Sequence, residues 1–282
     1  MIGEHSLTPA DFDRLAEILR REVGIELGET KQSLLLARLG SLMRTLGMDS
    51  YGQLADAIDQ DPGGPLMLEL VNRLSTNHTY FNREERHFLF LRESLLPFWR
   101  QQMLRGERKR FRIWSAACST GEETYNIAMT IADETDLRGS CRVLGTDISS
   151  GAIEKARRGT YTPQALAKLS PSWRERYVRD VATGGEIVPQ IREMVVFRRM
   201  NLIRERFPFR NSFDLVFCRN VLIYFHEELR ARVVENLVRS VEPGGYLVVG
   251  HSETVDRNRF GLSYVQPGIY KVTGQLSGRT AR

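Results

Sequence analysis

Phe111–Ile131, FRIWSAACSTGEETYNIAMTI, has the form of a strand, a tight turn of small residues and a helix. Phe111 to Ala117 mixes β-formers with small side chains, and Ile127 and Ile131 share one face of the helix that follows. Between them, Ala117-Cys118-Ser119-Thr120-Gly121 contains no bulky side chain. Such a turn lets a ligand approach the backbone and aims free helix N–H groups at it. Glu122 and Glu123 fall in the first helical turn, where the helix dipole favours acids. An ordinary strand-to-helix connection accounts for these residues equally well. Gly121 is the only glycine of the turn, so the G-x-G-x-x-G fingerprint of nicotinamide-cofactor sites is missing.

Downstream, strands and helices alternate. Arg142–Asp147 is predicted as a second strand ending in an acid, Ser150–Arg158 as a helix, and Ser212–Cys218 as a third buried strand. A helix is expected over about His226–Val241, then a Pro243-Gly244-Gly245 turn, a strand Tyr246–Gly250 and a terminal hairpin within Ser263–Val272. Residues 160–199 interrupt this rhythm with a helix near Trp173–Val178 and short β-like pieces at Glu186–Pro189 and Met194–Arg198. They read as an inserted antiparallel excursion, placed at about 174–200. Near-continuous apolar strands alternating with helices argue for an α/β fold, a parallel sheet covered on both faces. Such sheets bind ligands at the carboxyl ends of their strands, where the strand order reverses. Gly121, Asp147 and Asn220 all fall at or just after predicted strand ends, so three segments converge on one crevice.

Upstream, residues 1–74 read as an all-helical domain. Thr8-Pro9 is a helix start ahead of Phe12, Leu15, Ile18 and Leu19. From Thr30, KQSLLLARLGSLMRTLGM forms an amphipathic helix with no acid. Lys31, Arg38, Ser41, Arg44 and Thr45 are expected on one side, and Leu35, Leu36, Leu39, Leu42, Met43 and Leu46 on the other. The basic side is a candidate docking surface for an acidic helix, beside the plainer reading of a solvated face. Residues 75–88, STNHTYFNREERHF, link this domain to the α/β domain over 89–282. Thr76, Asn77, Thr79, Tyr80 and Arg83 make a dense polar and aromatic cluster where a plain linker would carry Gly, Pro or Ser. A helix is expected to begin near Asn82, with Glu85 closing a capping box, and to run over 83–104. The charge run Arg105–Arg110 is taken as a solvated loop.

Composition narrows the function classes. The 41% apolar and 27% charged residues are those of a globular chain, and no apolar run is long enough to span a membrane. The N-terminus lacks the basic and apolar regions of a secretory signal, and three cysteines without a C-x-x-C pair fit a reducing cytoplasm. Residues 1–74 hold seven Lys/Arg against twelve Asp/Glu, so the net +5 of the chain is an excess of about +10 beyond them. The five histidines are widely scattered in sequence, and no metal centre is expected.

An acid ending the second strand, about 25 residues past the small-residue turn, suits two ribose hydroxyls. A lone Asp there also reads as a turn or N-cap residue. A ligand with an adenosine end but no phosphates needs no phosphate-gripping lysine, and the turn has none. S-adenosylmethionine fits that description. The chain here resembles the chemotaxis receptor glutamate O-methyltransferases of bacteria, the CheR family. The motifs that carry the resemblance are residues 76–84 (TNHTYFNRE), 114–123 (WSAACSTGEE), 217–225 (FCRNVLIYF) and 250–253 (GHSE). It implies a Rossmann-like S-adenosylmethionine-dependent methyltransferase sheet, an all-helical N-terminal domain and a small antiparallel β-subdomain insert. It further implies that Asn77, Thr79, Arg83, Glu123, Asp147, Asn201, Leu202, Arg219 and Asn220 contact the cofactor. Arg83 and Tyr224 would lie near the transferable methyl group and the incoming carboxylate, with S-adenosylhomocysteine as product. The implied partners are the cytoplasmic helices of chemoreceptors, docked through Lys31, Arg38 and Arg44, with a receptor C-terminal tethering peptide at the insert. Two other classes stand beside this one. A non-catalytic S-adenosylmethionine-sensing adaptor is opposed by intact Arg83, Asn220 and Tyr224. A nucleic-acid methyltransferase is opposed by the lack of a basic stripe interleaved with aromatics.

Overall fold

The structure is a computed structural model that describes residues 7–24, 26, 32–74, 78–134, 137 and 139–274. The chain divides into two compact units, Met1–Thr76 with Tyr224–Arg230, and Asn77–Ile223 with Ala231–Arg282. The division falls at residue 76, and residues 78–88 belong to the second unit instead of forming a separate linker.

Among the described residues the first unit holds four helices, α1 (Pro9–Val23), α2 (Gln32–Leu46), α3 (Tyr51–Gln60) and α4 (Pro65–Leu74). Thr8 caps α1, its hydroxyl accepting from Asp11 N at 3.1 Å. Apolar residues at helical spacing, among them Leu15, Leu39, Leu54 and Leu70, form the core. The polar side of α2 is not the open basic face expected. Arg38 donates to the carbonyls of Arg73 (3.3 Å) and Leu74 (2.8 Å), closing the last turn of α4. Arg73 in turn bonds Ser41 Oγ at 2.6 Å. Arg44 is exposed, whereas Lys31 and the helix start at Thr30 lie outside the described residues. Leu36 and Leu46, expected on the buried side, are 40% and 42% exposed.

The second unit opens with α5 (Arg86–Phe90), a π turn (Leu91–Leu95) and α6 (Leu96–Leu104). The expected capping box at Asn82 is not formed. Asn82 and Glu84 sit in the left-handed region at φ 62° and 55°, which no helix can include, so α5 starts only at Arg86. The π turn has a local cause. Pro97 has no N–H to offer the α-helical ladder, and Leu96 N reaches back five residues to Leu91 O.

The alternating part comprises β1 (Phe111–Ala116), α7 (Glu122–Asp133), β2 (Cys141–Asp147), α8 (Ser150–Arg158), β3 (Thr160–Tyr161), α9 (Pro163–Leu166), α10 (Pro171–Tyr177), β4 (Val178–Val181) and β5 (Gly184–Ile187). It continues through α11 (Pro189–Arg192), β6 (Val195–Arg199), β7 (Phe213–Cys218), a 3-10 turn (Leu222–Tyr224), α12 (Glu227–Ser240), β8 (Val241–Val249), β9 (Leu262–Gln266) and β10 (Ile269–Val272). The main sheet runs β6-β2-β1-β7-β8-β10-β9, parallel through β8, with β10 and β9 antiparallel. Its order reverses between β1 and β7, where the chain crosses from one half of the sheet to the other.

The antiparallel insert is a separate sheet, β3-β5-β4, within residues 160–187. The expected insert at about 174–200 is therefore displaced. Val195–Arg199 instead pairs parallel with β2, Val143 opposite Val195 through Asp147 opposite Arg199, and forms an edge of the main sheet. Nor is the 105–110 charge run wholly solvated. Arg108 pairs with Asp214, whose other oxygen accepts Arg112 N at 2.8 Å, and lies over the Phe111 ring. That carboxylate sits where the register between β7 and β8 shifts, and ties the start of β1 to β7 just ahead of the first paired residues, Ile113 and Leu215.

Candidate active site

The turn after β1 is held in a conformation that its sequence would not choose alone. Ala117 and Ser119 adopt φ 57° and 50° although neither is glycine. At Gly121, φ is 95°, and a Cβ would stand 2.8 Å from that of Ala156, so this position excludes any side chain. Neighbouring strands and loops fix the turn. Cys118 N donates to Thr146 O (2.8 Å), Ser119 N to Asp147 Oδ2 (2.8 Å), and the Tyr161 hydroxyl to Thr120 O (2.8 Å). Asp147 Oδ1 accepts Ser149 N at 2.9 Å, so this acid ties the ends of β1 and β2 together. It is 7% exposed. Burial raises its pKa above the ordinary carboxylate value, against the backbone N–H groups of Ser149, Ser119 and Ile148. Each oxygen has two lone pairs, so the turn-closing role leaves acceptor capacity for a diol.

At the end of β7 lies a buried ion network. The Arg219 side chain is 2% exposed and bridges Glu84 (3.0 Å) and Glu123 (2.9 Å). It also donates to the carbonyl of Arg83 and lies over the Phe88 ring at 5.5 Å. Ser115 at the end of β1 donates to the other oxygen of Glu123 at 2.7 Å. Burial raises the Glu123 pKa, with Arg219 as the main opposing influence. Burial pushes Glu84 upward as well, but the Arg219 charge and the Asn220 hydrogen bond outweigh it and its pKa is lowered. Asn220 Nδ2 donates to Glu84 Oε1 at 3.1 Å, which turns the amide oxygen away from that carboxylate.

The structure thus brings Arg83, Glu123, Asp147, Arg219 and Asn220 to the carboxyl ends of β1, β2 and β7. Asn201 and Leu202 follow β6 on the same edge, Met200 N bonding Asp147 O at 2.9 Å. Thr79 is half-buried beside the Arg83 turn, and Arg83 donates to His78 O at 2.6 Å with its guanidinium over the Tyr80 ring. Asn77 and Thr76 lie outside the described residues. Tyr224 closes the 3-10 turn and belongs to the first unit, where its carbonyl accepts Glu26 N at 3.4 Å. Glu84, Ser115 and Glu253 were not singled out from the sequence. Glu84 and Glu253 stood within quoted motifs, but only their reach across 135 and 33 residues reveals them. The histidines are less scattered than expected. His87 and His251 meet edge to face at 4.9 Å, and with Glu84 they offer three ligand atoms within 4.8 Å of one another. The Arg219 guanidinium already occupies Glu84 and would repel a cation, and the two imidazoles meet as a packing contact.

Carboxylates at the floor, a turn free of lysine and a sheet reversing beside it suit a nucleoside that carries positive charge and no phosphate. These features define the class of S-adenosylmethionine-dependent methyltransferases. The chain belongs to the CheR family: residues 77–268 match "CheR methyltransferase, SAM binding domain" and residues 10–75 match "CheR methyltransferase, all-alpha domain". It is 36% identical to a chemotaxis protein methyltransferase of Borreliella burgdorferi, covering 94% of this chain and 95% of that one. It is 35% identical to chemotaxis protein methyltransferase 1 of Pseudomonas aeruginosa, covering 94% and 98%. A Salmonella typhimurium chemotaxis protein methyltransferase is 33% identical, covering 88% and 85%. The chain is accordingly a methyltransferase of chemotaxis that uses S-adenosylmethionine. Among the described residues no helix is long and apolar enough to cross a membrane.

Proposed function

We propose that this chain methylates glutamate side chains on the cytoplasmic helices of bacterial chemoreceptors, giving methyl esters and S-adenosylhomocysteine. The observation that carries the reading is the convergence of Glu123, Asp147 and Asn220 on one strand-end crevice within the stretch matching the family's cofactor domain. In this reading Asp147 holds the ribose diol, Asn201 and Leu202 flank the adenine, and Glu123 with Arg219 orients the methionine end. Asn77 and Thr79 complete the cofactor contacts. When bound, the cofactor supplies an electrophilic methyl group whose departure leaves the bonding pair on sulfur.

A glutamate side chain, with an ordinary pKa of about 4.3, is already ionised at neutral pH, so the new C–O bond forms without a general base. The protein's work is alignment and exclusion of water. Arg83 presents a half-buried guanidinium beside the crevice and can grip the acceptor carboxylate by paired hydrogen bonds. The Tyr224 hydroxyl fixes one reacting partner without adding charge. Exposed Arg44 on α2 contributes to receptor docking, with Lys31 and Arg38 as the other expected contributors. A receptor C-terminal tail would add as a strand to the outer edge of β4. The reaction belongs to the cytoplasm, where those receptor helices lie.

Incubation with methyl-labelled cofactor and a receptor fragment should transfer label into a base-labile ester. Arg83→Ala should lose most turnover. Label entering RNA and not receptor, or near-normal receptor methylation by Arg83→Ala, would overturn the assignment.

A further inference from the structure

Glu253 lies just after β8, outside the residues assigned to cofactor or substrate, and is 6% exposed. Its carboxylate accepts three backbone N–H groups: Gly250 at 2.6 Å, Asn220 at 2.8 Å and Leu222 at 2.8 Å. Two of these belong to the turn after β7, far away in sequence, and they bracket that turn. Asn220 stands at its bend with φ 60°, in the left-handed region. Asparagine tolerates this conformation better than most residues but does not prefer it. A turn in need only of closing could use local carbonyl acceptors. A buried carboxylate costs desolvation that several N–H donors must offset, so its presence marks a turn whose geometry is fixed from outside. Gly250 completes the fit: a Cβ there would stand 2.5 Å from Asn220 Nδ2 and 2.9 Å from Glu253 Oε2.

We infer that Glu253 is a positioning residue for the methyl-transfer site: by clasping the N–H groups of Asn220 and Leu222, it sets the conformation in which Asn220 faces the cofactor, and so sets cofactor affinity. This rests on the assignment of Asn220 to cofactor binding made above. Asn220 Nδ2 is anchored on Glu84 Oε1, so backbone and side chain of the same residue are each held by a separate carboxylate. A glutamine at 253 would turn an NH2 toward donors that need an acceptor, and the bend would relax.

The test uses the full chain, with S-adenosylhomocysteine as probe in isothermal titration and thermal unfolding measured alongside. Glu253→Gln should weaken binding at least tenfold while the protein still melts cooperatively. In an Asn220→Ala background the same substitution should add almost nothing, because the two residues act as one unit. Additive losses, or wild-type affinity in Glu253→Gln, would overturn the inference. Gly250→Ala approaches the contact from the other side without removing charge. It should give a comparable loss, and unchanged affinity in that variant would overturn the inference even if Glu253→Gln fails to fold. Failure of the wild type to bind the probe would instead strike at the cofactor assignment itself.

Discussion

Arg219→Met is the most informative perturbation of this structure. It removes a guanidinium that is 2% exposed and leaves Glu84 and Glu123, 14% and 13% exposed, without their common partner. Removing one member of a buried ion pair costs about 3–5 kcal/mol, because the remaining charge keeps its desolvation penalty. For a protein of this size that lowers Tm by roughly 6–20 °C. The pH dependence identifies the cause. Burial already holds the Glu123 pKa above its ordinary value, and Arg219 is the main influence opposing it. Without Arg219 the folded carboxyl protonates at still higher pH than the unfolded one. The folded state then binds more protons, and stability rises as pH falls through that raised value. Unfolding by urea, followed by circular dichroism at pH 8, 7, 6 and 5, should show the variant regaining ground on the wild type toward acid. Arg219→Met with Glu123→Gln should recover part of the loss at pH 8. A single variant within 2 °C of wild type, or a double variant no better than the single, would refute the idea that Arg219 neutralises buried carboxylates.

Three further outcomes follow from the same geometry. His87 has a 0% exposed side chain, and burial followed by the nearby Arg219 charge lowers its pKa from 6.5 to about 4. Stability is therefore full above 6.5 and is lost as pH falls toward 4, by up to about 3 kcal/mol; His87→Gln should flatten the urea-midpoint slope over that window. Gly121→Ala forces a Cβ to 2.8 Å from Ala156 Cβ at φ 95°, so it should cost about 1–3 kcal/mol in thermal melting and weaken S-adenosylhomocysteine binding. Arg44→Glu should lower receptor methylation at low salt with unchanged Tm and cofactor affinity. Arg38→Glu should in addition destabilise the helical unit, since Arg38 closes α4 through two carbonyls.

The sequence carried the sheet's central strands well because they are buried on both faces and signal themselves by composition. Phe111–Ala116, Cys141–Asp147 and Phe213–Cys218 lie within a residue of their expected bounds, and Ser150–Arg158 matches fully. It failed where partner choice decides the outcome. Local β-propensity marks Val195–Arg199 as a strand but does not say which sheet it joins, so it points to an insert too far along the chain. Helical spacing on α2 predicted the burial of Leu35, Leu39, Leu42 and Met43. The same spacing could not show that Arg38 would be spent on the end of α4, because that contact spans 35 residues. At the site, residue types gave the chemistry of the crevice, whereas the holders Glu84 and Glu253 depended on contacts no local pattern encodes.

Those holders explain why so many buried charges surround the crevice. Among the described non-glycine residues with left-handed backbone, all but Asn211 lie in the segments that build the crevice: Asn82, Glu84, Ala117, Ser119 and Asn220. Each such residue costs about 1–3 kcal/mol and persists only when its surroundings fix it. The fixing groups are visible. Asn126 accepts Asn82 N at 3.1 Å, Arg219 holds the Glu84 side chain, Asp147 accepts Ser119 N, and Glu253 accepts Asn220 N. Except at Asn82, whose partner Asn126 is a neutral amide, the holders are charged, and hydrogen bonds to ionised groups contribute about 1.5–3 kcal/mol each, which is the size needed to offset the strain. Neutral acceptors would hold the turns more weakly, and apolar packing would not direct them. Ionised acceptors can therefore be understood as the means by which a rigid sheet imposes an unfavourable but specific loop geometry. Cofactor affinity should accordingly be more sensitive to the residues that hold the turns than their distance from the cofactor would suggest.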